Sequence, residues 1–233
     1  MSVRGEVIAQ GRDTEIVDHG PGLVLRRPKV PRSLAAEAEV MAWVRSQGYP
    51  CPEVVEVVDD GLVMQRVDGS SMLDILSRRP HRIRAHATLL GDLHNWLHRL
   101  EPRADAAGLA LALDSPYGDG PALVHGDLHP GNVLLTADGP VVIDWSNACQ
   151  GPGGADVAVA WLLLAAAEAP TSRAERLLVG TFRQAFVRWF LAAVDRDAAV
   201  ACLPAALARR RLDPHLSPAE LDRMARIVER AGR

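Results

Sequence analysis

Asp127, Asn132 and Asp144 are the residues of this 233-residue chain whose types and spacing could do chemistry. They lie in His125-Gly126-Asp127-Leu128-His129-Pro130-Gly131-Asn132 and in Ile143-Asp144-Trp145. One carboxylate can act as a base, and an Asn and an Asp can offer oxygens to a hard divalent cation. That is the equipment of phosphoryl transfer from a magnesium nucleotide. Val133-Leu134-Leu135 and Val141-Val142-Ile143 predict two strands joined by a turn through Asp138-Gly139-Pro140. A hairpin folded near Asp138 brings Asn132 and Asp144 together at its open end, with Asp127 on the loop just before it. The competing reading gives these residues ordinary turn roles. It requires spacing, strands and the second Asp to coincide by accident.

The rest of the chain must position that loop. Polar turns at Gly11 and at His19-Gly20-Pro21-Gly22 divide three strands, Val3 to Gln10, Glu15 to Asp18 and Leu23 to Arg26. An Ala- and Glu-rich helix from about Ser33 to Gln47 is expected to stop at Gly48. Strands Glu53 to Val58 and Leu62 to Gln65 follow, with Asp60-Gly61 as their turn. After Val67-Asp68-Gly69 the pattern becomes helical: Met72 to Leu76, Ile83 to Leu100, Ala155 to Glu168, Arg173 to Val194, Ala198 to Arg211, and a last helix from Pro218. Ser217-Pro218-Ala219-Glu220 opens that helix as a capping box. A five-stranded antiparallel sheet with one helix, followed by a larger helical part, is an α+β architecture.

Composition narrows the partners. A net charge of -3 carries no electrostatic footprint for nucleic acid or a membrane surface. The longest apolar run, Val157 to Ala167, is too short to span a bilayer. Three scattered cysteines, Cys51, Cys149 and Cys202, suggest reduced thiols and a cytoplasmic location.

The Asp-x4-Asn spacing resembles the catalytic loop of the protein-kinase-like superfamily, and Asp144 stands where the metal-binding Asp of Asp-Phe-Gly would be. Gly126 in place of Arg, His-Pro after Leu128, and Asp-Trp in place of Asp-Phe-Gly resemble the aminoglycoside phosphotransferase and choline kinase-like family. The resemblance implies a bilobal fold, with residues 1–67 as the nucleotide lobe and 68–233 as the catalytic and substrate lobe. It implies Asp127 as the base and Asn132 and Asp144 as ligands of Mg2+. Gly11 would lie in the loop covering the nucleotide, and Arg26 at the position of the phosphate-contacting lysine, with Lys29 as a fallback cation. Glu37 would pair with that cation. Backbone groups of Gln65 and Val67 would hold the base of ATP, with GTP not excluded. Asp156 would support the catalytic loop. His94 and His98 have a metal-like spacing, but no third ligand is apparent, and they are expected as packed histidines.

The implied activity is transfer of a γ-phosphate to a hydroxyl of a small molecule. A catalytically silent nucleotide-binding regulator, or a metabolic sugar or amino-alcohol kinase, is the alternative. The acceptor pocket is expected to be small or open, and the Arg209-Arg210-Arg211 run to be a solvated helix face. A monomer is expected, with a dimer left open.

Overall fold

The computed structural model describes residues 5–11, 13–100, 115–166 and 173–232, with only the backbone described for 173–179. The strand expected from Val3, the helix end at Glu168 and the link through 101–114 therefore fall wholly or partly outside the described residues.

Strands β1 (Val7–Gln10), β2 (Thr14–Asp18), β3 (Leu23–Pro28), β4 (Val54–Val58) and β5 (Gly61–Gln65) form one antiparallel sheet in the order β1-β2-β3-β5-β4. Arg26 is on the central strand, opposite Ile16 on one side and Leu62 on the other. Both neighbours fix its backbone, which makes it a rigid mount for a charged side chain. The β4–β5 turn is Asp59-Asp60 and not Asp60-Gly61, because Gly61 already pairs with Val58. A Cβ at Gly61 would lie 2.6 Å from the Arg26 carbonyl, so this glycine serves close strand packing.

Helix α1 (Ala35–Ser46) buries Glu37, Ala38, Val40, Met41 and Val44, one face at helical spacing. Glu37 is thus a carboxylate on a core-facing stripe. The helix ends where Gly48 takes φ +81°, with Gly48 N–H on Arg45 O and Tyr49 N–H on Val44 O. Those two bonds are the Schellman pattern that a C-terminal glycine allows.

The larger part begins with β6 (Ser70–Ser71), α2 (Met72–Arg78) and α3 (Ile83–His98). Strand β7 (Ala122–Val124) leads to the loop and to the hairpin β8 (Val133–Thr136) and β9 (Gly139–Val142). Strand β10 (Cys149–Gly151) returns to pair with β7, and β6 adds to β8. The hairpin turn is Ala137-Asp138, one step earlier than expected, since Thr136 pairs with Gly139. Pro140 sits within β9, which is tolerated because β9 is an outer strand of its three-stranded sheet.

Helices α4 (Gly153–Ala166), α5 (Arg173–Leu191), α6 (Arg196–Arg210) and α7 (Pro218–Ala231) complete the chain. Helix α4 is apolar nearly all round and lies among α3, α5, α6 and α7. That burial is what an all-round apolar helix requires. Helix α6 meets it with Leu203, Ala206 and Leu207, and α7 adds Met224. Ser217 Oγ accepts from Glu220 N–H and the Glu220 carboxylate accepts from Ser217 N–H, so the expected capping box is present. Ser217→Ala is expected to lower the unfolding free energy by about 1 kcal/mol, read from the urea midpoint. Among the described residues, no helix is long and apolar enough to cross a membrane.

Candidate active site

The loop carrying Asp127 is held from beneath by one carboxylate. Asp156, in the first turn of α4, is fully buried. Its Oδ2 accepts from His125 N–H at 2.8 Å and its Oδ1 from Gly126 N–H at 2.8 Å. His98 Nε2 meets Oδ2 at 3.3 Å. Burial alone would raise the Asp156 pKa. The His98 hydrogen bond and the imidazoles of His94, His98 and His125 outweigh it and bring it to about 2.

His125 ties the loop to the hairpin. Its Nδ1 accepts from Asp127 N–H at 3.3 Å, and its Nε2 faces Ile143 O at 3.1 Å. These partners assign the proton to Nε2. The ring lies 4.7 Å from that of Trp145, which is 1% exposed and donates Nε1–H to Val142 O. Trp145 is thus a core anchor beside Asp144.

Between them, Gly126 has φ +76°, and a Cβ there would lie 2.7 Å from Asn147 O. Gly126→Ala is expected to cost about 1–3 kcal/mol from backbone strain. Displacing Asp127 by even 1 Å would also reduce turnover by about 10²-fold. Thermal melting and initial rates read the two effects separately.

The hairpin delivers its two oxygen donors as the spacing requires. Asn132 O accepts from Ile143 N–H at 3.0 Å, so Asn132 lies across from the residue before Asp144. Asn132 Nδ2 donates to Asp127 O at 2.9 Å and to Asp127 Oδ2 at 3.2 Å. Its Oδ1 takes no hydrogen bond among the described residues. Asp144 adopts φ +65°. Its Oδ1 accepts from Arg26 Nη2 at 2.8 Å and Ser146 Oγ at 2.9 Å, and Oδ2 takes no hydrogen bond among the described residues. Two protein oxygens of this kind suit Mg2+, which keeps much of its hydration.

On the sheet side, Arg26 is 6% exposed and donates Nη1–H to Glu37 Oε1 at 2.5 Å. Arg32 reaches the other Glu37 oxygen at 3.4 Å. Arg26, Glu37 and Asp144 therefore form one ion-paired row from β3, α1 and the loop after β9. Gly11 closes the β1–β2 turn with its own N–H on Thr14 O, and Lys29 Nζ donates to Gly11 O at 2.7 Å. Lys29 is committed to that turn. Gln65 ends β5, and its side-chain Oε1 accepts from Glu53 N–H at 3.3 Å. Val67 lies two residues on, half-buried.

Sequence reasoning missed Arg210. It was expected on a solvated face, yet its side chain is 12% exposed and donates Nη2–H to Asp127 Oδ1 at 2.5 Å. Gly126 O lies 3.3 Å from the same nitrogen. The signal was present: 199, 203, 206 and 210 continue one buried stripe along α6. His129 Nδ1 accepts from Gly131 N–H, and its Nε2 is 3.6 Å from Asp127 Oδ2. Burial would raise the Asp127 carboxyl, but His129 and Arg210 outweigh it and hold it well below the usual carboxylate range. His94 is buried and donates to Leu90 O, with its ring edge-on to His98. Among the described residues, no group of three or more His, Cys, Asp or Glu side chains could hold a metal ion.

The family model described as "Phosphotransferase enzyme family" matches residues 7–120 and 106–199. The chain belongs to this family. A curated relative, "Probable serine/threonine-protein kinase BUD32 homolog" from Archaeoglobus fulgidus, is 27% identical over 174 residues, covering 73% of this chain and 68% of the relative. Among solved structures, the gentamicin complex of APH(2″)-IIa superposes with TM-score 0.61 at 15% identity, covering 97% of this chain and 88% of that one. Its streptomycin–ATP complex gives 0.56 at 13%, covering 88% and 82%. A choline/ethanolamine kinase family protein from Mesorhizobium loti gives 0.56 at 16%, covering 97% and 87%. At these identities the likeness is one of fold: this phosphotransferase is a kinase-like α+β protein, with a five-stranded sheet lobe and a helical lobe.

Proposed function

We propose that this phosphotransferase moves the γ-phosphoryl group of Mg-ATP, with GTP as an alternative donor, to a hydroxyl of a small molecule. The observation that carries the reading is the constellation at the hairpin mouth: Asn132 bonded to Asp127, and Asp144 paired with Arg26, which also holds Glu37. Asn132 Oδ1 and Asp144 Oδ2 would hold the metal, which when bound supplies positive charge to the phosphate oxygens. Arg26, oriented by Glu37, would offer its guanidinium to the donor phosphates. The backbone of Gly11, Gln65 and Val67 would line the nucleotide side of residues 1–67, and residues 68–233 would hold the acceptor.

Asp127 would orient the acceptor hydroxyl. As its oxygen forms a bond to the γ-phosphorus, the bond from phosphorus to the bridging oxygen breaks. The nucleoside diphosphate leaves, and the hydroxyl proton passes to Asp127. Positioning and charge carry most of the rate.

Two observations favour a small acceptor. Only Trp145 to Pro152 separate Asp144 from α4, which leaves no long segment of the kind that docks a polypeptide. The protein's fold neighbours were captured with gentamicin and streptomycin. A protein acceptor is the second reading, favoured by the match to the BUD32 homolog. A cytoplasmic monomer completes the proposal, in keeping with three unpaired cysteines.

The test is transfer from γ-labelled Mg-ATP and Mg-GTP to pooled aminoglycosides, macrolides, amino alcohols and sugars, with Asp127→Ala in parallel. A phosphorylated small molecule that vanishes in the variant supports the reading. Tight nucleotide binding without product in either protein supports a silent binder, and label on added protein supports the second reading.

A further inference from the structure

Arg210 occupies the side of Asp127 that the acceptor needs. Asp127 has two carboxylate oxygens. Oδ2 faces Asn132 Nδ2 and His129, and is part of the loop's own bonding. Oδ1 is the oxygen left for an acceptor hydroxyl, and it carries the Arg210 guanidinium at 2.5 Å. The guanidinium arrives from α6, in the helical lobe where the acceptor would sit. It is not a flexible surface charge, being 12% exposed, with its Nε buried and without a hydrogen-bond partner among the described residues. Its other nitrogen is 3.5 Å from Asp213 Oδ2. Arg210 thus bridges the carboxylates of Asp127 and Asp213.

We propose that Arg210 selects an anionic acceptor, a small alcohol whose carboxylate or phosphate lies a few bonds from the reacting hydroxyl. The inference rests on the phosphotransferase reading above. When the hydroxyl takes Oδ1, Arg210 loses hold of its closest partner and is left with the longer contacts to Gly126 O and Asp213. A nearly buried guanidinium stripped of a partner is costly. An acceptor that brings its own anion replaces the lost partner through a bidentate pair. A cationic acceptor adds repulsion instead, which is discrimination by an unfavourable contact. The chemical step keeps its balance: the acceptor oxygen gains phosphorus, the nucleoside diphosphate leaves, and the proton goes to Oδ1 as the guanidinium departs.

The experiment is initial-rate transfer from Mg-ATP to glycerate, gluconate and glycerol 3-phosphate, beside glycerol and glucose, and beside ethanolamine and gentamicin. It is run on the full chain and on Arg210→Gln and Arg210→Lys, with Mg-nucleotide affinity confirming that each variant is folded. The expected result is a kcat/KM order of anionic over neutral over cationic acceptors. Arg210→Gln should lower the anionic values by about 10- to 100-fold, mainly through KM, and narrow the gap to neutral acceptors. Arg210→Lys should retain an intermediate preference, because it keeps the charge without the fork. Carboxylates outranking glycerol 3-phosphate, or the reverse, identifies which anion the pair is shaped for. Equal or better transfer to cationic acceptors, or an Arg210→Gln loss uniform across the three classes, overturns the inference while leaving a phosphotransferase. Nucleotide binding without transfer to any class overturns both.

Discussion

Asp127→Ala is expected to lower turnover by about 10²–10⁴-fold, the range a positioned acid–base group contributes, with nucleotide affinity close to that of the unaltered protein. The separation follows from geometry. Asp127 contacts Asn132, His129 and Arg210, whereas the nucleotide side proposed above would rest on the Arg26–Glu37 pair. Direct nucleotide titration beside single-turnover transfer reads the two quantities independently. A loss confined to nucleotide affinity would remove Asp127 from the role of base. The pH dependence gives a second reading of the same group. His129 and Arg210 hold the Asp127 carboxyl well below the usual range against the opposing effect of burial. The Asp127 carboxylate is then ionised throughout the neutral range, and no acid limb near neutrality arises from it. Removing Arg210 takes away one of those stabilising charges, so the acid limb of kcat should move to higher pH in Arg210→Gln.

Asp156→Ala is expected to act first on stability. Its carboxylate is the shared partner of His125 N–H, Gly126 N–H and His98, all inside the protein. Removing it leaves two buried N–H groups and an imidazole without their acceptor, at a cost of about 3–5 kcal/mol. That is a large part of the 5–15 kcal/mol or so that holds a typical domain together. Urea denaturation should show a lower midpoint with little change in slope.

The pH dependence has a definite sign. The folded-state pKa of Asp156 is about 2, below its ordinary 3.8, so the ionised form is favoured by folding. Its contribution is fully present above pH 3.8 and is lost as pH falls through the interval to about 2. The gap between the protein and Asp156→Ala should shrink across that window and remain constant above it. A deficit independent of pH from neutrality down to 2 would show that packing, and not the charge, accounts for the loss.

The loop, the hairpin and the sheet were legible because each is written in a periodic or motif-bearing stretch. Asp127, Asn132 and Asp144 are close in sequence, so one turn decides their meeting, and moving that turn by one residue left the meeting intact. Glu37 was singled out because the family resemblance places a glutamate on this helix ahead of its stop at Gly48, and the structure pairs it with Arg26. The pieces that escaped are of two kinds. Strands β6, β7 and β10 are two or three residues long, too short for any alternation to show. Arg210 is distant from Asp127 by 83 positions, and its meaning depends on how α6 crosses α4. Its buried periodicity was visible, but a run of three arginines reads as surface until the neighbouring helix is in place. The Asp60-Gly61 turn and the one expected through Asp138-Gly139-Pro140 were displaced for a related reason. Turn chemistry marks a bend to within a residue, while strand register decides which residues occupy it.

Arg26 has one further consequence. Its guanidinium is fastened at one end to α1 and at the other to Asp144, so it acts as a strap across the wrist of the molecule. Parting the two halves must pull that strap off one of its anchors. Under the proposed function, incoming phosphate oxygens would be a replacement anchor of the same sign as Asp144. A nucleotide would then release the wrist at little electrostatic cost, and would free the Asp144 oxygen from Arg26 while Ser146 stays on it. Loosening and arming would become one event, timed by the arrival of the donor.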